Sequence, residues 1–189
     1  MNTQYDIKEI VRVLQAGGTI LYPTDTIWGI GCDATNARAV KKVYGIKERL
    51  SGKSLIILVP DLEVLKNYVE SIPELARDLM DSISDPLTII YPGARNLAPN
   101  VAAEDGSVGI RIPKDAFCQE LLKAFGKPIT STSANLSGAP SPVSFSKISP
   151  EIIKAVDHVV PFGETGIRMP RPSTIIRIDP AGNMQIIRN

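Results

Sequence analysis

No stretch of this chain approaches the ~18 consecutive apolar residues of a membrane-spanning helix. Met1 leads into Asn-Thr-Gln-Tyr-Asp, which has neither the basic nor the apolar segment of an export signal. The expectation is a soluble, cytoplasmic protein with no membrane partner. Cysteine is scarce: Cys32 and Cys118 stand alone, without C-x-x-C spacing, which excludes a zinc ribbon and a disulfide scaffold. The one histidine, His158, follows Asp157 at the start of an apolar run and completes no Ser-His-Asp arrangement. No cluster of carboxylates offers a dedicated metal cage, so no protein-held metal is expected. Excess charge is lacking too. With 21 Lys and Arg against 20 Asp and Glu the net charge is +1, and aromatics make up 5%. Neither a basic stripe nor a stacking platform for nucleic acid is indicated. Both common nucleotide loops, G-x-G-x-x-G and G-x-x-x-x-G-K-[ST], are absent, so a bound nucleotide must be held by another arrangement.

What remains is an ordinary globular composition, 43% hydrophobic and 22% charged over 189 residues, which fits one domain over 1–189. Ile7, Ile10, Val11 and Leu14 recur at helical spacing between a capping Asp6 and Gly17-Gly18, which predicts a helix over 6–16. Further helices are predicted over 36–47, 61–68, 73–83, 114–125 and 151–156. Short apolar or β-branched runs predict strands over 19–23, 54–59, 87–91, 108–112, 128–132, 157–161, 173–178 and 184–188, and 139–150 reads as a Pro- and Ser-rich loop. Helices and strands alternate throughout, so the fold class is α/β: one large twisted sheet with flanking helices.

Several segments could carry chemistry. In YPTDTIWGIG (22–31), Thr24, Asp25 and Thr26 follow a buried strand and precede Gly29 and Gly31. Such a polar rim at a strand end suits a ligand, and glycines can expose amide donors to an anion. A plain turn with locally satisfied side chains explains the same residues. Between 41 and 53 lie Lys41, Lys42, Lys47, Arg49 and Lys53 against Glu48 alone. They form either a phosphate grip or a set of cations offsetting a helix C-terminus. PITSTSANLSG (128–138) sets hydroxyls and a carboxamide after a strand, groups equally suited to a polar ligand and to capping. In VGIRI (108–112), Arg111 interrupts an apolar strand and requires an anionic partner, structural or substrate.

Taken in order, YPTDTIWGIG, KERLSGKSLIIL, DPLTIIYPG, VGIRIP, STSANLSG and PSTIIRI resemble the YrdC/TsaC family of threonylcarbamoyl-adenylate synthases over about residues 18–178. The family's Lys-x-Arg followed later by Ser-x-Asn corresponds to Lys47-Glu48-Arg49 and Ser133-Ala134-Asn135. The resemblance implies a mixed sheet with a concave, basic substrate face. It also implies synthesis of threonylcarbamoyl-AMP and pyrophosphate from L-threonine, bicarbonate and ATP for tRNA modification. By that likeness Lys47 and Arg49 are catalytic. Lys47, Arg49, Lys53, Thr88, Asn135 and Arg188 bind ATP, and Thr24, Ser133 and Ser173 bind L-threonine. Mg²⁺ would be held mainly by the ATP phosphates. The product would pass to a tRNA threonylcarbamoyl transferase complex, with at most a weak RNA contact. Leu50 and Leu58 depart from the proline and histidine that relatives carry at matching places. An RNA-binding module of the same superfamily and a carbamoyl-transfer domain like that of hydrogenase-maturation proteins are the competing readings.

Overall fold

The computed structural model describes residues 5–48, 54–161, 171–179 and 181–189. Strands β1 (Ile20–Tyr22), β2 (Gly29–Gly31), β3 (Ile56–Leu58), β4 (Leu87–Tyr91), β5 (Val108–Arg111), β6 (Ile129–Ser133), β7 (His158–Val159), β8 (Thr174–Ile178) and β9 (Met184–Arg188) make one sheet. Their order is β7-β1-β2-β6-β3-β5-β4-β8-β9. The pairs β1–β7, β3–β5 and β4–β8 are parallel and the other five antiparallel, so the sheet is mixed. Helices α1 (Ile7–Gln15), α2 (Ala37–Ile46), α3 (Leu62–Leu65), α4 (Glu74–Ser82), α5 (Ala116–Phe125) and α6 (Pro150–Ala155) flank it. Their starts follow from the sequence: the side chains of Asp6, Asn36, Asp61, Asp115 and Ser149 each accept a bond from a first-turn amide.

Alternation along the strands gives the sheet two unlike faces. On one, Leu21, Ile30, Ile57, Ile89, Ile110 and Ile176 pack with Ala39, Val40 and Val43 of α2, Ala76 of α4 and Ile152 of α6. On the other, Ile20, Tyr22, Leu58 and Ile129 pack against Ile10 and Leu14 of α1 and Phe117, Leu121 and Leu122 of α5. Beyond Leu58 this second core gives out. Ile56, Thr88, Ile90, Gly109, Arg111 and Ile175 line an open cleft in its place.

Three local readings of the sequence are corrected. Gly29 and Gly31 form strand β2 inside the sheet, buried, and are not an exposed amide rim. A strand of two glycines and one isoleucine is hard to read because glycine disfavours strands, and its use here is steric. A Cβ on Gly31 would lie 2.5 Å from the Thr130 carbonyl oxygen and 2.7 Å from the Tyr22 ring, which crosses β2 so that its hydroxyl donates to that carbonyl at 3.2 Å. The run 54–59 pairs only over Ile56–Leu58. The 139–150 loop contains a 3₁₀ turn, Phe145–Lys147, whose Phe145 ring lies 5.0 Å from that of Trp28.

Gly31→Ala should therefore destabilise the fold by about 1–3 kcal/mol, the usual cost of overpacking. Urea unfolding checks this; an unchanged midpoint would mean that β2 and Tyr22 separate freely.

Candidate active site

The cleft has a volume of about 310 Å³. Its floor follows from strand register. Arg188, Ile175, Thr88, Arg111 and Leu58 are consecutive partners across β9, β8, β4, β5 and β3, so they lie in one row on one face. The neighbouring row holds Ile90, Gly109, Ile56 and Ser131. A Cβ on Gly109 would come within 3.3 Å of Ile56 and 3.4 Å of Thr88, so the missing side chain keeps the floor low between two isoleucines. At ~4.8 Å per strand, the backbones carrying the two arginines stand roughly 14 Å apart, one at each end of a hydroxyl-bearing, apolar-floored trough.

Arg111 is 5% exposed and its Nη1 lies 3.2 Å from Asp25 Oδ1, whose side chain is 11% exposed. That contact lacks hydrogen-bond alignment, so it is an ion pair held by Coulomb attraction. Burial pushes the Asp25 carboxyl up from its ordinary pKa, while the Arg111 guanidinium opposes the rise. Nη1 also donates to Thr26 Oγ1 at 2.8 Å. The Thr26 and Thr24 hydroxyls lie 2.8 Å apart, and Thr24 Oγ1 donates to the Ile27 carbonyl at 2.8 Å. Since Thr24 has one hydroxyl proton, Thr26 donates to Thr24, and the chain runs Arg111, Thr26, Thr24, Ile27 in one direction. One edge of Arg111 is thereby fixed. Its Nε is buried without a hydrogen-bond partner among the described residues, and Arg111 lines the cleft.

At the other end, Arg188 Nε and Nη2 donate to the Ser173 carbonyl at 3.1 and 2.8 Å. The Ser173 and Thr88 hydroxyls lie 2.7 Å apart. Partial desolvation, with the like charge of Arg111, lowers the Arg188 pKa. Two cations that disfavour each other across one cleft are what an anionic ligand relieves.

Of the residues expected from sequence, Thr88, Ser133, Ser173 and Arg188 line the cleft. Thr24 stands one step behind, its hydroxyl committed to Thr26 and Ile27. Asn135 is not among the lining residues, and its Nδ2 donates to the carbonyls of Leu136 and Ala139. Lys47 caps α2 at 3% exposure and does not line the cleft. Its ammonium donates to the carbonyls of Ser133 and Asn135 and to Asn135 Oδ1. The expected direct phosphate grip by Lys47 is thus not the geometry found, because the ammonium is turned inward onto backbone oxygens. Arg49, Lys53 and Leu50 lie outside the described residues. Leu58 is buried beneath α5. Sequence reasoning did not find Thr26 as the arginine's anchor or Ile56, Ile90 and Ile175 as the floor. Only strand order brings these residues together, although the isolated Arg111 in an apolar run was a signal.

The family model described as "Telomere recombination" (Sua5_yciO_yrdC) matches residues 12–189. A Stenotrophomonas maltophilia protein named threonylcarbamoyl-AMP synthase is 34% identical over 166 residues, covering 86% of this chain and 89% of the relative. Among solved structures, P. abyssi Sua5 complexed with L-threonine superposes with a TM-score of 0.84 at 28% identity over 91% of this chain. This chain matches 50% of that protein's length. E. coli YciO gives 0.82 at 26% identity, covering 97% of this chain and 88% of that one.

Arg111→Met should cost about 3–5 kcal/mol of stability, since it strands Asp25 in the interior. Adding Asp25→Asn to that variant should recover most of the loss. Denaturant unfolding of the two variants and of Asp25→Asn checks this, and additive losses would mean that the pair is not coupled.

Proposed function

Because the chain belongs to the Sua5/YciO/YrdC family, we propose that it is an L-threonylcarbamoyladenylate synthase. In this reading it makes threonylcarbamoyl-AMP and pyrophosphate from L-threonine, bicarbonate or CO₂, and ATP, for the threonylcarbamoylation of adenosine in tRNA. The observation that carries the reading is the pair of arginines in one row with hydroxyls and isoleucines between them. Its span exceeds a single amino acid and suits an amino acid joined to a nucleotide.

Arg111, which lines the cleft, receives the threonine carboxylate, with Thr26 and Asp25 fixing the guanidinium. Ser133 and Ser173 supply hydroxyls to the amino acid, and the buried Thr24 acts through Thr26. The threonine amine takes up CO₂ as a carbamate. A carbamate oxygen then attacks the α-phosphorus of ATP, the bond from that phosphorus to the bridging oxygen breaks, and pyrophosphate departs. Such a displacement is served by positioning and charge neutralisation more than by a strong base. Arg188, Thr88, Arg49 and Lys53 take the nucleotide, with Asn135 at the rim. Mg²⁺ arrives as part of the MgATP substrate, held by the phosphates. The mixed anhydride reacts with amines and water, so transfer to a tRNA threonylcarbamoyl transferase, with at most a weak RNA contact here, completes the proposal. Its place is the cytoplasm. Among the described residues no helix is long and apolar enough to cross a membrane.

Purified protein given labelled bicarbonate, L-threonine and MgATP should form a labelled adenylate and pyrophosphate, both dependent on threonine. ATP binding without product would favour the RNA-binding alternative. Arg188→Met and Arg49→Ala should each lose about 2–4 kcal/mol of transition-state stabilisation, read from kcat/KM. Near-normal rates in both would place the phosphate grip elsewhere.

A further inference from the structure

Among the described residues, Lys47 is the one charged side chain that the family resemblance assigns to the substrate but that does not line the cleft. An ammonium has three N–H donors and no acceptor. At Lys47 three oxygens of described residues converge on it: the Ser133 carbonyl, the Asn135 carbonyl at 2.7 Å and Asn135 Oδ1 at 3.4 Å. The backbone of the same residue completes a second tie, since its carbonyl accepts from the Ser137 amide at 2.9 Å. Helix α2 is therefore fastened at its C-cap to both limbs of the turn that follows β6. Two bonds close that turn from within and one ties it to the residue before β2. The Asn135 amide donates to the Ser133 carbonyl at 2.9 Å and Asn135 Nδ2 to the Leu136 carbonyl at 3.0 Å, while the Ala134 amide donates to the Trp28 carbonyl at 3.0 Å. Ser133, the last residue of β6 and the partner of Gly29, leads into this turn and lines the cleft.

We propose that Lys47 is a positioning residue: its buried ammonium, seated on the oxygens of Ser133 and Asn135, sets the turn that presents Ser133 to the substrate, and it touches neither nucleotide nor amino acid. The geometry demands a compact tetrahedral cation, because three oxygens approach one nitrogen inside a site that is 3% exposed. A guanidinium is planar and larger, so arginine, itself a good phosphate ligand, is the wrong shape for this cage. The two roles thus predict opposite results for the conservative replacement. The inference rests on the cleft being the substrate site proposed above.

Lysine reactivity in the wild-type protein gives the first test. Reductive methylation followed by peptide mass spectrometry, with and without a non-hydrolysable MgATP analogue, should leave Lys47 unmodified in both samples, while exposed Lys8 and Lys41 react. Lys47 that reacts in the free protein, whether or not the analogue then shields it, would overturn the positioning role. Kinetics gives the second. Lys47→Met and Lys47→Arg should lower kcat/KM for L-threonine by about tenfold or more, to similar extents. The dependence of analogue affinity on salt should stay as in wild type, because no phosphate contact is lost. Restoration by Lys47→Arg to within about twofold, or a weakened salt dependence in Lys47→Met, would overturn it. If neither variant folds, the wild-type reactivity decides alone. Analogue binding is measured first by calorimetry: its absence would sink the functional reading, whereas binding with a reactive Lys47 would sink only the role proposed for that residue.

Discussion

A guanidinium buried in the middle of a sheet is the constraint on which the site depends. Arg111 sits on β5 between partners on β3 and β4, where an unmatched charge would be costly. Asp25 cancels the charge, and the Thr26–Thr24 chain fixes one edge of the fork, while the buried Nε has no hydrogen-bond partner among the described residues. The fold thus holds a charge-balanced guanidinium in the cleft lining, the group proposed here to receive an anion. In that proposal this is preorganisation: the guanidinium is fixed and desolvated before any ligand arrives.

The sheet makes such a site affordable because its two faces differ. One is packed by α2, α4 and α6 and carries most of the core. The other is covered by α1 and α5 only as far as Leu58, and the strands beyond it form the trough. Because β5, β4, β8 and β9 are sequential neighbours across the sheet, residues far apart in sequence, from Thr88 to Arg188, share one floor. The turn bearing Ser133 comes from the other side, fastened by Lys47 at the end of α2. The lining of the cleft therefore draws on both halves of the sheet.

Much of this was legible in the sequence. The capping residues Asp6 and Asp61 begin helices where their positions suggest, and strands 87–91 and 184–188 match to the residue. A lone Arg111 in an apolar run predicted a partner, and Asp25 is there. What stayed hidden depends on long-range pairing. The Gly-Ile-Gly of β2 carries too little side chain to show strand periodicity, and its meaning appears only when the Tyr22 ring lies across it. The placement of Lys47 was equally unreadable: a lysine in a basic cluster looks like a phosphate ligand until its helix end is seen against the turn after β6.

The central claim, that the buried Arg111 is the anchor for the amino-acid carboxylate, is tested most directly by the substrate itself. Turnover of L-threonine should be compared with that of L-threoninol, which keeps the amine and the side-chain hydroxyl but has no carboxylate. The account predicts that threoninol loses at least about 10³-fold in kcat/KM, because it leaves a buried charged donor unmatched. Threoninol turned over within about tenfold of threonine would contradict it, and the role of Arg111 would then be structural alone.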